Sequence, residues 1–293
     1  MDANDLLSLL READGDAALL ALATVDLNYP DESAADRERL HELLQIAAVP
    51  HWFTASGLSL LTGKSVTSQD WVRLTSLPIV EPFTARGDGA HNVHETSRLA
   101  LRRHLAINDP ERLRHLSANA AGVALESASP ADEIERAYHL LVADPDTGAD
   151  NLAELNRQWG SSAGHAATYA LAAALRELLD SQLASSRALG WSRLVVAQHL
   201  ASIRGASAVH DEAAGLIHLV YGLNDRPLLA EVQNLLGLAA QARGNLDTAQ
   251  TAYRAAVGLM TRLARLDPSN RVWQSDLTNL QSWIRPISEP NSA

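Results

Sequence analysis

Apolar residues recur at helical spacing along most of this chain, and this pattern limits what it can fold into. In one clear stretch the apolar residues fall on one helix face, namely Leu40, Leu43, Leu44 and Ala47. Charged residues fall on the opposite face: Arg37, Glu38 and Glu42. Aromatic residues make up only 4% of the chain, and a balance dominated by Leu and Ala suits helix-on-helix packing. We therefore predict a mainly α fold.

The chain is long enough for two domains. It has 293 residues, and single hydrophobic cores stop growing at about 250 to 300 residues. Gly160 to Gly164 is small, polar and flanked by helical patterns, so we place a domain boundary there. Residues 1–34 are predicted to form an N-terminal helical segment, with two short helices broken at Asp14-Gly15-Asp16.

Residues 35–107 carry three short helical patterns followed by two short strands. The helices are predicted from Ala35 to Pro50, from Phe53 to Leu61 and from Ser68 to Thr75. Residues 79–83 and 91–94 look like strands, joined by glycine-containing turn residues at 86–89. Three helices followed by a hairpin predict a winged-helix-like domain.

Helices are predicted throughout the rest of the chain. Asp109-Pro110 and Ser129-Pro130 are start signals, because Asp and Ser cap helices and Pro is tolerated at the first helical position. In residues 108–159, the connecting helices, we expect residues 144–148 to end one helix and a short helix to follow from Leu152 to Trp159. Residues 160–293 form the last domain. Its helices are predicted at 165–183, 192–203, 211–221, 227–242, 246–266 and 271–283.

The strongest local motif lies near the C-terminus. The spacing of six residues reproduces that of a tetratricopeptide repeat: Leu236, Gly237, Gly244, Ala249, Tyr253 and Ala256. Gly237 permits two helices to approach closely, Gly244 makes the turn between them, and Tyr253 fills the gap. Solenoids need about three stacked units, so the preceding helices must supply degenerate repeats. The prediction for residues 160–293 is a tetratricopeptide-like helical array.

In such an array a peptide groove is formed by the first helix of each repeat. The repeat register places four candidate groove residues on that helix: Glu231, Asn234, Leu238 and Gln241. Their mixture of polar and apolar side chains suits a peptide-binding face. A solvated face without a ligand is the alternative for each of them.

Several segments resemble the region that follows the nucleotide-binding domain in bacterial STAND-type signalling ATPases. They are residues 49–53, 61–63, 80–83, 94–98 and 135–141, together with Trp71 and Leu74. A further segment near the C-terminus resembles a repeat variant of such proteins, namely Asp267-Pro268-Ser269-Asn270 followed by Trp273 to Leu277. In that family an ATPase domain drives assembly, the winged helix relays its state, and the repeats sense or recruit a partner. This chain lacks the ATPase, so it is either a fragment or a stand-alone derivative. The resemblance implies a bacterial signal-transduction role without ATP-driven switching.

Charge and composition exclude several kinds of function. Residues 1–150 hold 24 acidic and 12 basic residues, whereas residues 151–293 hold 11 acidic and 12 basic residues. The net charge of −11 argues against nucleic acid as the main ligand, because a phosphate backbone binds to a basic surface. Cysteine is absent, which removes disulfides and thiolate chemistry. His91 and His94 would point to opposite faces of a strand, which suits one metal ion poorly. We predict no metal ligand, cofactor or catalytic residue.

Two motifs match catalytic signatures only by their letters. Gly63-Lys64-Ser65 lacks the upstream glycine of a phosphate-binding loop, since Leu58 stands in its place. Gly160 to Gly164 matches the nucleophile elbow of hydrolases, but the residues before it are helical rather than a strand. We expect an inter-helix turn at the first and a helix cap at the second.

The sequence therefore predicts a non-enzymatic adaptor or sensor that binds a protein or peptide partner, with self-association as a further possibility. The first segment lacks the basic residues of a signal peptide, and no apolar run approaches the roughly 20 residues of a membrane span, so we expect a cytoplasmic protein. Two alternatives stay open. One is a DNA-binding transcriptional regulator that uses the helix from Ser68 to Thr75. The other is an enzyme of unfamiliar type.

Overall fold

The computed structural model describes residues 16–124, 129–162, 164–181 and 185–288, with side chains left out at 160–162 and 283–288. The chain divides into two compact units, residues 1–148 and 149–293. Within the described ranges there are fourteen α-helices and one two-stranded antiparallel sheet, which confirms the mainly α prediction. The helix predicted before Asp14 lies outside the described residues.

The first unit combines short helices with one β-hairpin. Val80 pairs with Val93 and Pro82 with His91, and an isolated antiparallel bridge joins His91 to Phe53. The hairpin and the three helices before it lie where they were predicted. The elements are α1 (Ala17–Asn28), α2 (Ala34–Ala47), α3 (Ala55–Thr62), α4 (Ser68–Thr75), β1 (Val80–Pro82), a 3-10 turn (Thr84–Arg86), β2 (His91–Val93), α5 (Glu95–Asn108), α6 (Pro110–Val123) and α7 (Pro130–Ala143).

Helix starts in this unit follow local side-chain chemistry. Asp109 accepts a hydrogen bond from the Arg112 backbone N–H, and Ser129 caps α7 in the same way, so both predicted start signals are confirmed. Gly63 ends α3 with a positive φ of 66°, which places the predicted turn between α3 and α4. The local sequence is therefore enough to position these helix ends.

The second unit is built from helices, with a 3-10 turn at Ala206–Val209, throughout its described residues. All six helices predicted after residue 164 are present, although the one predicted from Ser192 begins earlier, where Ser185 caps it. The elements are α8 (Pro145–Ser162), whose first turn belongs to the first unit, α9 (His165–Ser181), α10 (Ser186–Arg204), α11 (His210–Val220), α12 (Arg226–Ala242), α13 (Leu246–Leu266) and α14 (Arg271–Ser288).

One predicted helix boundary is wrong. The short helix expected from Leu152 instead begins at Pro145. The predicted end of α7 at residues 144–148 is confirmed, since α7 ends at Ala143, but residues 145–148 also form the first turn of α8. Asp144 accepts a hydrogen bond from the Thr147 backbone N–H, which starts the helix at Pro145. Gly148 lies inside this helix, and a Cβ there would come within 2.5 Å of the Leu141 backbone nitrogen, so the close packing requires a glycine at this position. A glycine that signals a turn in the sequence serves here for close helix packing.

The division between the compact units falls between Gly148 and Ala149, whereas the boundary predicted at residues 160–164 lies at the end of α8.

Among the described residues, no helix combines the length and the apolar character that a membrane crossing requires.

Candidate functional site

A groove with a volume of about 720 Å³ opens in the second unit. We call it the second-unit groove. Six helices contribute to it, and its walls mix charged, amide and aromatic side chains. Residues that line it include Asp150, Glu154, Asn156, Arg157 and Trp159 from α8, His165 and Thr168 from α9, Arg187, Trp191, Gln198, His199 and Ser202 from α10, Glu231 from α12, Met260 from α13, and Trp273 and Asp276 from α14.

Asp225 fixes one wall of the groove. It is buried, and it caps α12 by accepting a hydrogen bond from the Leu228 backbone N–H at 2.9 Å. Its second oxygen accepts hydrogen bonds from Arg187 Nε at 2.8 Å and from Trp191 Nε1 at 3.0 Å. One carboxylate therefore ties the start of α12 to two lining side chains of α10. This wall is held in place without a ligand.

Both arginines that line the groove are already ion-paired. Arg187 contacts Asp150 at 2.5 Å in addition to Asp225. Burial acts to lower the pKa of Arg187, but the hydrogen bonds to these two carboxylates outweigh it and hold the pKa above its usual value. Arg157 pairs with Glu154, three residues before it on α8. The positive charge of the lining is thus directed mainly at Asp150, Glu154 and Asp225.

The side-chain carboxylates of Glu231 and Asp276 form no hydrogen bond or salt bridge with the described residues. Burial raises the pKa of Glu231, the nearby charge of Asp276 raises it further, and Arg157 offsets only part of this, so that its pKa is about 7. Burial also raises the pKa of Asp276, against the opposing effect of Arg157. The two carboxylates lie on α12 and α14, and both are partly buried. The groove therefore contains an acidic pair that nearby cations compensate only in part.

His199 is the second unusual group of the groove. It is only 7% exposed, and neither ring nitrogen has a hydrogen-bond partner among the described residues. Burial lowers its pKa, and the charge of Arg176 adds to the effect, so the surroundings favour the neutral ring. A neutral imidazole offers one donor and one acceptor. The edge of the ring contacts Tyr169 at a centroid distance of 5.9 Å.

The four residues predicted from the repeat register take different places. Glu231 lines the groove, while Asn234 is partly buried and its Oδ1 has no hydrogen-bond partner among the described residues. Leu238 packs against a buried cluster that includes Tyr253, and Gln241 accepts a hydrogen bond from the Tyr253 hydroxyl at 3.0 Å. Ten residues of helix span about 15 Å, which explains why these side chains do not share one pocket.

The sequence interpretation did not identify the groove residues on other helices. Arg157, His199 and Asp276 come from α8, α10 and α14, which are far apart along the chain. The only signal near any of them was the pattern from Trp273 to Leu277, which indicated a family resemblance and no binding role.

A second polar cluster lies in the core of the first unit. Glu135 Oε1 is 2.7 Å from His51 Nδ1, and its Oε2 is 3.3 Å from His139 Nε2. Burial acts to raise the pKa of Glu135, but the charge of His51 and the hydrogen bonds from both histidines outweigh it and hold the pKa well below its usual range. Arg102 donates a hydrogen bond to the Tyr138 hydroxyl beside this cluster. The cluster therefore joins the loop before α3 to α7.

This cluster brings together two segments of the family resemblance, residues 49–53 and 135–141. His139 is fully buried and Glu135 is 9% exposed, so a ligand has little access to either side chain. His91 lies elsewhere, in an aromatic contact with Phe53 and Trp71. Within the described part of the chain, no group of three or more His, Cys, Asp or Glu side chains could hold a metal ion.

Comparison of this chain with family models, curated proteins and solved structures found no match.

Proposed function

We propose that this chain is a non-enzymatic protein-interaction module that binds a peptide segment of a partner protein in the second-unit groove. The observation that carries the proposal is the groove itself, because its volume of about 720 Å³ falls in the range of ligand sites and its wall is held rigid by Asp225. Three tryptophans and several amides line it, a mixture that is common at protein interfaces. A tetratricopeptide-like array would present such a groove.

The repeat-like character is supported by α12 and α13. Gly237 of α12 lies against Tyr253 of α13, and Gly244 makes the turn between the helices with a φ of 78°. These are the roles that small and aromatic residues play in a tetratricopeptide repeat. We propose that the helices before this pair are degenerate members of the same array.

We further propose a winged-helix-like arrangement for the first unit. The order of α2, α3, α4 and the hairpin supports it. The antiparallel bridge between Phe53 and His91 supports it as well, because it places a third short extended segment beside β2. This unit would dock on another domain, on a partner, or on a second copy. Together the two units would form a bacterial signalling adaptor or sensor of the STAND type that acts in the cytoplasm.

The charges of α4 favour a protein partner over DNA. The helix contains one basic residue, Arg73, and its guanidinium forms a salt bridge with Glu32. Asp70 is buried and is paired with Arg39 at 2.7 Å. A recognition helix needs basic side chains that are free to contact phosphates and bases. We therefore assign this helix to packing and protein contact.

The proposal can be tested by affinity capture from lysate with the full chain, with and without nuclease. Ser202→Arg fills the groove from an exposed lining position, while Ile203→Arg adds the same side chain next to it, at a residue that is 61% exposed and outside the lining. We expect a nuclease-resistant partner that the Ser202→Arg variant loses and the Ile203→Arg variant retains. The recombinant partner should then bind the purified chain directly.

Recovery of nucleic acid alone, or a partner that both variants retain, would contradict binding in the groove.

A further inference from the structure

The groove carries more negative than positive charge. Asp150, Glu154, Glu231 and Asp276 supply four carboxylates, and Arg157 and Arg187 supply two guanidinium groups. The two arginines form salt bridges with Asp150 and Glu154. Glu231 and Asp276 are therefore left as the acids without a direct partner among the described lining residues.

This arrangement costs folding free energy. Partly buried carboxylates that lack a partner lose hydration, and like charges near each other add repulsion. The pKa of Glu231, which is about 7, reflects both effects. A bound cation would remove the repulsion and replace the lost hydration. Acids held at such a cost inside a cavity are typical of binding sites.

The residues beside the acidic pair indicate which cation fits. Trp273 lies three positions before Asp276 on α14, so both side chains lie on one helix face, and both line the groove. An indole ring beside a carboxylate suits an arginine or lysine side chain, whose stem packs on the ring while its charged end reaches the acid. His199 also lines the groove, is only 7% exposed and has no hydrogen-bond partner among the described residues, so the groove holds a further polar group whose hydrogen bonds are unmet.

We propose that the second-unit groove selects peptide segments with a central arginine or lysine, whose charged end binds Glu231 and Asp276 and whose stem packs on Trp273. This inference rests on the proposed function, since it names the kind of peptide that the groove takes.

The test uses the immobilised full chain and three pools of synthetic decapeptides with blocked ends. The pools are identical except for the central residue, which is arginine, its neutral isostere citrulline, or glutamate. The protein variants are Glu231→Gln and Asp276→Asn, with Glu212→Gln as the matched control, because Glu212 is an exposed acid of the same unit outside the groove. Retained peptides are quantified by mass spectrometry, and circular dichroism verifies that each variant is folded.

We expect retention of the arginine pool about tenfold above the citrulline pool, equivalent to about 1.4 kcal/mol. The Glu231→Gln and Asp276→Asn variants should each reduce this preference at least about fivefold, with citrulline retention unchanged, and the Glu212→Gln variant should behave like the wild type. Retention of all three pools to the same extent, or an arginine preference that survives both groove substitutions, would overturn this inference and leave the proposed peptide binding standing. Retention of no pool by the folded wild-type chain would overturn both.

Discussion

Gly237 of α12 and Tyr253 of α13 pack so closely that a Cβ atom at position 237 would lie 2.6 Å from Tyr253 Cε1. Tyr253 is fully buried, and burial raises its pKa to about 12. Its hydroxyl donates a hydrogen bond to Gln241. The contact therefore depends on the absence of a side chain at 237, because the ring is held at both its edge and its hydroxyl.

The Gly237→Ala substitution is expected to destabilise the second unit by about 1 to 3 kcal/mol, since the added methyl group forces the ring to move in a packed interior. Gly258→Ala is the matched control. That glycine lies within α13 with open space around its Cβ position, so alanine should stabilise the helix by up to about 1 kcal/mol. Urea denaturation followed by circular dichroism measures both changes. Equal effects of the two substitutions would contradict the packing role of Gly237.

The Glu135→Gln substitution is expected to destabilise the first unit by about 3 kcal/mol. It leaves His51 and His139 without the carboxylate that both contact in a buried site. Glu38→Gln is the control, because the Glu38 side chain is 85% exposed and should change stability by less than about 0.5 kcal/mol. Thermal unfolding compares the two variants. A Glu135→Gln chain as stable as the wild type would show that the cluster does not stabilise the core.

His139 is expected to make the first unit less stable as the pH falls from 7 to 5. Burial lowers its pKa, although Glu135 opposes this effect, so the folded state holds fewer protons than the unfolded state below the ordinary value of 6.5. The free energy of unfolding therefore decreases as the pH drops through that value. His139→Gln should reduce this decrease, whereas His115→Gln, at an exposed histidine, should leave it unchanged. Denaturation at pH 7, 6 and 5 measures the difference.

Glu231 is expected to destabilise the second unit above neutral pH. Its pKa of about 7 in the folded chain exceeds the ordinary 4.5, so the folded state holds more protons between these values and the free energy of unfolding falls as the pH rises through them. The Glu231→Gln variant should be as stable as the wild type near pH 4.5 and more stable by about 1 to 3 kcal/mol at pH 8. Glu212→Gln serves as the control. A stability difference that is independent of pH would exclude a raised pKa.

The Asp225→Ala substitution is expected to cost about 3 kcal/mol, because it removes a helix cap, a salt bridge to Arg187 and the hydrogen-bond partner of Trp191 together. Asn245→Ala removes only an exposed cap, that of α13, and should cost about 1 kcal/mol. Chemical denaturation of both variants tests this ratio. Similar costs for the two would show that the contacts of Asp225 with α10 add little.

Local sequence was sufficient for most of the helices and for the hairpin. Caps such as Asp109 and Ser129, and apolar residues at helical spacing, act within one or two turns of chain, so they can be interpreted without the rest of the molecule. The predicted helix start at Leu152 is wrong because Gly148 is typical of a turn in the sequence. In the structure it lies inside a helix, where a glycine permits close packing against Leu141.

The sequence alone thus determined a mainly α chain, the contact of Gly237 with Tyr253 through its repeat spacing, and Glu231 as a candidate groove residue. Tertiary structure decided which side chains share a site. Periodicity tells which face of a helix is buried, but not which other helix covers that face. Arg157, His199 and Asp276 therefore meet Glu231 in one groove through the packing of four helices, and the raised pKa of Glu231 arises only from the burial and the charge that this packing creates.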